Sequence, residues 1–294
     1  MSMANSEADE TSSGVRRGRR AKRLLAAIGV LGAVGVVALA VVPEHILYRQ
    51  RLLFSILDLK AEAPLQALDY RTHDGLTLRS WYIPPREGRP MIVFFAGRDG
   101  DILRKPQHLM ELTKIGYGLI LVGYRGYGGN PGWPNEADMY LDASALLVQA
   151  RDAGLEGTGF VLYGYSMGSA YATNAAANSR PLALILEAPI SNFLDAVRQQ
   201  AGLVPAWLVR TRFDNVTRVS EVQAPVLLMA GGQDAITPPW FALSLAAANP
   251  NFAQVKVFEE ANHFSIVRLG GRRTVADFLA EIEKRNELQQ LPSA

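Results

Sequence analysis

Phe160-Val161-Leu162-Tyr163-Gly164-Tyr165-Ser166-Met167-Gly168 is the stretch on which the fold turns. An apolar run leads into the pattern G-x-S-x-G at Gly164-Tyr165-Ser166-Met167-Gly168, and Ser169, Ala170, Ala172, Ala175 and Ala176 then carry the chain into a helix of small residues. Strand, tight turn and helix in this order form a nucleophile elbow, which lifts a serine hydroxyl above the end of a sheet. In so tight a turn the positions two before and two after the serine crowd together. A Cβ at either clashes, which accounts for Gly164 and Gly168, while Ser166 itself is held in a strained φ.

Outward from this turn, short apolar runs alternate with helix-length segments. Candidate buried strands lie at 91–95, 118–122, 159–163, 182–186, 226–230 and 254–258. Each is nearly continuous in apolar character, as strands covered on both faces must be. Helices are predicted near 102–115, 136–152, 167–178, 191–202, 239–248 and 272–288. Ahead of them, residues 66–73 and 76–83 flank Asp74-Gly75, a strong hairpin signal, and form two antiparallel opening strands. The rhythm specifies an α/β fold: a mostly parallel sheet with helices on both faces.

A serine hydroxyl is a weak nucleophile at neutral pH and needs a general base held by an acid. The chain has four histidines. His45 adjoins the N-terminal apolar run, His73 borders the hairpin turn and His108 sits in a predicted helix, so these three read as surface or turn residues. Only His263, in Glu259-Glu260-Ala261-Asn262-His263-Phe264, follows the last predicted strand, and it is the candidate base. Val226-Leu227-Leu228-Met229-Ala230-Gly231-Gly232-Gln233-Asp234 places a carboxylate just beyond a strand's C-terminal end, so Asp234 is the candidate acid, with Asp214 as its rival. The oxyanion of acyl transfer needs two backbone N–H donors. Met167, directly after the serine, supplies one, and Arg98, in the loop Phe95-Ala96-Gly97-Arg98-Asp99-Gly100, supplies the other.

At 294 residues, 49% hydrophobic and 20% charged, the chain is long enough for a sizeable core and is neither disordered nor fibrous in composition. The absence of cysteine removes disulfides, thiolate metal sites and a cysteine nucleophile. Residues 1–23 carry six of the 30 basic residues and three of the 28 acidic ones, so the net charge of +2 belongs to the tail. The remainder is nearly neutral and lacks the basic surface of a nucleic-acid binder.

Residues 24–42 are nineteen Leu, Ala, Ile, Val and Gly residues without a polar side chain, ended by Pro43. As a helix the run is ~28 Å long, close to the hydrocarbon thickness of a bilayer. The basic cluster Arg16 to Arg23 before it predicts a cytoplasmic N-terminus and a single-pass anchor, with the body of the protein on the non-cytoplasmic side. A cleavable signal peptide competes, because Ala38-Leu39-Ala40 has the small-x-small form of a cleavage site. The expected organisation is a disordered basic tail at 1–23, a signal-anchor at 24–42, a linker at 43–61 and one α/β domain at 62–288.

With these residues in place, the chain resembles the α/β-hydrolase superfamily, and within it the membrane-anchored abhydrolase-domain serine hydrolases, over about residues 62–285. The order Ser166, Asp234, His263 matches that superfamily's nucleophile, acid and base. Val122-Gly123-Tyr124-Arg125-Gly126-Tyr127-Gly128, Leu186-Glu187-Ala188-Pro189 and the stretch from Gly232 to Pro238 extend the similarity. Two motifs depart from it: Ala96-Gly97-Arg98 replaces the usual His-Gly-Asn, and Gly123 replaces the Asp of Asp-Tyr-Arg-Gly.

The resemblance implies hydrolysis of carboxylic esters or thioesters through an acyl-enzyme on Ser166, with neither metal nor cofactor, on a small-molecule or acyl-ester substrate. A serine peptidase of aminopeptidase type and a membrane-bound scaffold with a hydrolase fold are the alternatives. The segment 188–225 leaves room only for a small lid. Its Leu203, Val204, Trp207, Leu208 and Val209 either line an acyl site or pack a short helix onto the sheet. The oligomeric state stays open.

Overall fold

The computed structural model describes residues 65–98 and 107–290. The chain divides into two units, Met1–Leu47 and Tyr48–Ala294, and the described residues belong to the second. The predicted tail, signal-anchor and linker, with His45, lie outside the described residues, as does the start of the helix predicted at 102–115. Among the described residues, no helix is long and apolar enough to cross a membrane.

Eight strands form one sheet: β1 (Gln66–Arg71), β2 (Thr77–Ile83), β3 (Met91–Phe95), β4 (Gly118–Leu121), β5 (Phe160–Tyr165), β6 (Ala183–Glu187), β7 (Val226–Gly231) and β8 (Ala253–Phe258). Their spatial order is β1-β2-β4-β3-β5-β6-β7-β8. β2 pairs antiparallel with both β1 and β4, and every other pairing is parallel, so β2 alone opposes the common direction. The hairpin turn at Asp74-Gly75 is formed by Gly75, whose φ of 85° is open to glycine at no steric cost.

Every residue of β3, β4, β5, β6 and β7 is buried. Successive strand side chains point to opposite faces, so total burial means that both faces are covered. The α-helices of the described residues are α1 (Gln107–Lys114), α2 (Glu136–Asp152), α3 (Gly168–Ser179), α4 (Phe193–Ala201), α5 (Asn215–Val219), α6 (Pro239–Ala248) and α7 (Arg272–Gln290). α2, α3, α5 and α6 pack side by side in sequence. α1 and α7 are joined by the ion pair of Arg272 with Glu111.

Two expectations are corrected. β8 is not a strand buried on both faces: Gln254 and Lys256 are exposed and alternate with half-buried neighbours, because β8 is the sheet edge. His108 is not a surface residue. It is 4% exposed on α1, and its Nε2 lies 3.2 Å from the Tyr163 hydroxyl, which donates to Glu187 Oε2. His73, by contrast, stays partly exposed at the hairpin, 3.4 Å from Asp138.

The departure at Gly123 has a structural cause. A Cβ there would lie 1.9 Å from the Arg79 carbonyl oxygen, so β2 and the loop after β4 approach too closely for any side chain. The following Arg125 is 2% exposed, and its guanidinium bonds Asp142, Asp138 and Asp74 at once. The loop after β4 is thereby tied to α2 and to the β1–β2 turn.

Candidate active site

The C-terminal ends of the parallel strands converge on Ser166. β5 ends at Tyr165, α3 starts at Gly168, and Ser166 between them has a φ of 51°. Its N–H donates to the Glu187 carbonyl at the end of β6, which fixes the turn from the side. Each glycine of the elbow answers a different neighbour. A Cβ on Gly164 would lie 2.6 Å from Ser169 Cα, whereas one on Gly168 would lie 2.1 Å from the Phe95 carbonyl oxygen and 2.4 Å from that of Ala96. The first clash is within the turn, as the sequence implies, and the second is with the end of β3.

Asp234 and His263 come together because the loops after β7 and β8 are bound to each other. Gly232 N–H donates to the Phe258 carbonyl and Gln233 N–H to that of Ala261. Cβ atoms on Gly231 and Gly232 would sit 2.4 Å from Ala261 O and 2.6 Å from Glu259 O, so only glycine permits this contact. His263 is then held over the sheet by the Tyr165 hydroxyl, which donates to the His263 carbonyl.

The resulting contacts form a line. His263 Nε2 is 3.0 Å from Ser166 Oγ, and His263 Nδ1 is 2.8 Å from Asp234 Oδ2. An ionised carboxylate only accepts, so Nδ1 carries the imidazole proton and the Nε2 lone pair faces the serine hydroxyl. Asp234 and His263 are buried while Ser166 is half-buried, so the hydroxyl is the member of the line open to solvent. Burial pushes the Asp234 carboxyl up. The hydrogen bond and charge of His263, together with the Thr237 donors, outweigh it and hold the carboxyl below its ordinary value of 3.8.

Met167 is buried at the start of α3, where the leading N–H groups of a helix have no partner within it. Arg98 follows Gly97, at which a Cβ would be 3.3 Å from Ser166 Cβ, so the loop after β3 runs close beside the serine. Arg98 itself is exposed. Asp214 is not brought to the site. It caps the N-terminus of α5, accepting from Thr217 N–H and Oγ.

Sequence reasoning missed three members of the surroundings. Thr237 is buried with its hydroxyl 2.9 Å from Asp234 Oδ2, and the spacing Asp234-Ala235-Ile236-Thr237, typical of an aspartate that bonds its own following backbone, was the available signal. Ala188 adopts a φ of 48° directly before Pro189, where an extended conformation is favoured, and no local signal marks it. Glu187 contributes through its carbonyl, to which side-chain chemistry is no guide.

In the segment between β6 and β7, Val209 is buried, while Leu203 is 100% and Trp207 70% exposed. His73, Asp74 and Asp142 offer ligand atoms within 4.8 Å of one another, a spacing suited to a cation. Arg125 already bonds Asp74 and Asp142, however, and supplies the positive charge a metal would bring.

A profile for the family described as serine aminopeptidase, S33, matches residues 86–217. An uncharacterized protein of Mycobacterium tuberculosis is 30% identical over 205 residues, covering 68% of this chain and 73% of its own. The alpha/beta hydrolase domain-containing protein WAV2 of Arabidopsis thaliana is 27% identical over 250 residues, covering 74% of this chain and 80% of its own. Among solved structures, an esterase of Pyrococcus furiosus superposes with a TM-score of 0.61 at 17% identity, over 74% of this chain and 90% of that one, which is a likeness of fold.

Proposed function

This chain belongs to the α/β-hydrolase superfamily, in the branch of abhydrolase-domain proteins, and from that premise we propose that it is a serine hydrolase cleaving carboxylic esters or thioesters through an acyl-enzyme on Ser166. The observation that carries the reading is the unbroken line from Asp234 Oδ2 through both nitrogens of His263 to Ser166 Oγ, at 2.8 and 3.0 Å. No other described histidine has a carboxylate on one ring nitrogen and a hydroxyl of the elbow on the other.

In this mechanism His263 Nε2 takes the Ser166 proton as Oγ bonds to the substrate carbonyl carbon. The carbonyl π electrons move onto oxygen, and the N–H groups of Met167 and Arg98 stabilise that oxyanion. Asp234 holds the imidazolium. The tetrahedral adduct collapses, the bond to the alcohol or thiol breaks, and the leaving group receives the proton from Nε2. Water then attacks the acyl carbon, giving a proton to Nε2. Ser166 leaves with that proton, and the carboxylic acid is released.

Labelling with a fluorophosphonate probe tests the reading. Wild type is expected to label and Ser166→Ala to remain unlabelled; label retained by the folded variant overturns it.

A peptidase reading draws support from the serine aminopeptidase description of the matching family. It differs in the leaving group, an amine that must be protonated as it departs. Turnover of aminoacyl p-nitroanilides above that of p-nitrophenyl esters would favour it.

We also propose that residues 24–42 tether the enzyme to a membrane, with the N-terminus cytoplasmic and the hydrolase domain on the other side. The support is the apolar run and the basic cluster ahead of it. N-terminal sequencing of the protein from a membrane fraction is expected to find a chain that begins before residue 24, and a start at Val41 overturns the tether.

A further inference from the structure

The Thr237 hydroxyl stands between two acceptors, Asp234 Oδ2 at 2.9 Å and the Ala188 carbonyl at 3.1 Å, with His263 Nδ1 also 3.1 Å away. Its N–H donates to the other carboxylate oxygen, Asp234 Oδ1, at 2.8 Å, beside the Ile236 N–H at the same distance. One residue therefore contacts both oxygens of the acid and the nitrogen that faces it. A carboxylate offers about four acceptor positions. Ile236 N–H, Thr237 N–H, Thr237 Oγ–H and His263 Nδ1–H fill all four.

A hydroxyl has one proton to give. Its shortest contact is Asp234 Oδ2, and with the proton directed there an oxygen lone pair faces Nδ1–H. A protonated Nδ1 thus finds two acceptors, while a bare Nδ1 would face a carboxylate lone pair across 2.8 Å, a repulsive arrangement. We propose that Thr237 is a positioning residue of the acid–base pair: its hydroxyl completes the shell of Asp234 and keeps the His263 proton on Nδ1, so that the Nε2 lone pair stays on Ser166. The inference rests on the serine-hydrolase reading and deepens it.

Two consequences separate this role from simple packing. Thr237→Val keeps the shape and removes the hydroxyl, leaving the acid with one donor fewer. The carboxylate then attracts the imidazolium more strongly, so the base holds its proton to higher pH. Besides Asp234, the titratable Tyr165 lies against His263, with its ring 5.4 Å from the imidazole. Its hydroxyl donates to the His263 carbonyl.

The test measures kcat and KM for p-nitrophenyl butyrate between pH 5 and pH 9 with the full chain. Wild type, Thr237→Val, Thr237→Ser and Ser166→Ala are compared, each checked for folding by thermal melting. Thr237→Val is expected to lose about tenfold in kcat, the kinetic equivalent of one hydrogen bond to a charged group. Its KM should be unchanged and the acidic limb of its kcat/KM profile displaced to higher pH, with Thr237→Ser restoring both.

A wild-type rate and profile in Thr237→Val, with Ser166→Ala inactive, overturns this inference and leaves the serine reading standing. Equal impairment of the Val and Ser variants makes the role steric and also overturns it. Activity in Ser166→Ala overturns the reading beneath. Should Thr237→Val fail to fold, Thr237→Ala supplies the same comparison.

Discussion

Ser166 holds a left-handed φ of 51°, a conformation that costs a non-glycine residue on the order of 1–3 kcal/mol. It persists because Glu187 O takes the Ser166 N–H and because Gly168 lets α3 begin against the β3 carbonyls. Phe95 O and Ala96 O are backbone atoms and cannot swing aside. Gly168→Ala is therefore expected to lower the melting temperature and abolish probe labelling together, and a variant that melts and labels as wild type would contradict this account.

Asp234 acts on the chemistry through His263 Nδ1. Asp234→Asn keeps the shape but can present an N–H to Nδ1, which favours the tautomer with Nε2 protonated and unable to accept from Ser166. A fall in kcat on the order of 10⁴ is expected, with KM little changed.

At the scale of elements, Arg125 is the fastening between the β4 loop, the β1–β2 turn and α2. Its partner Asp142 is buried, and burial pushes the Asp142 carboxyl up against the opposing pull of Arg125. Arg125→Ala leaves that carboxylate buried and unpaired, so a loss of roughly 3–5 kcal/mol in urea unfolding is expected.

Asp74, at the exposed end of the same cluster, is held at about 2 by the hydrogen bond from Thr72 and then by Arg125. Its folded value lies below the unfolded one. The stabilisation is therefore complete above the ordinary value of 3.8 and is lost as pH falls toward about 2. Asp74→Asn should flatten the dependence of unfolding midpoint on pH within that window and leave it unchanged above pH 5.

The elements themselves were legible where burial is complete. The strand predicted at 91–95 and the helices at 136–152 and 239–248 have the observed bounds. Continuous apolar runs have one stable placement in such a sheet. The status of β8 was less legible: its run reads as nearly continuous in apolar character, yet Val255 and Val257 alternate with Gln254 and Lys256, the pattern of an edge.

At the scale of the whole molecule, some large exposed apolar side chains of the described residues are neighbours in sequence of the triad or of α4. Ile236 lies two residues beyond Asp234, and Phe264 directly follows His263. Leu203 and Trp207 follow α4, whose Gln199 and Gln200 side chains donate to the Ala235 carbonyl. The acyl-site reading of Leu203 and Trp207 is open to test by substitution. Leu203→Ser combined with Trp207→Ala should raise KM for p-nitrophenyl palmitate several-fold and leave that for the acetate unchanged. Equal effects on both esters would remove these residues from substrate binding.

By itself the chain of amino acids determined which segments become strands, where the elbow lies, and that a serine, an aspartate and a histidine follow the ends of three different strands. Those properties are local, carried by apolar period, turn chemistry and chain order. Only the tertiary structure decided that His263, 97 residues from Ser166, meets it at 3.0 Å. It also decided that Thr237 joins their line, that Gly123 yields to the Arg79 carbonyl, and that His108 is buried beneath Tyr163. Such contacts depend on how two loops pack against each other in space, and no periodicity along the chain records that.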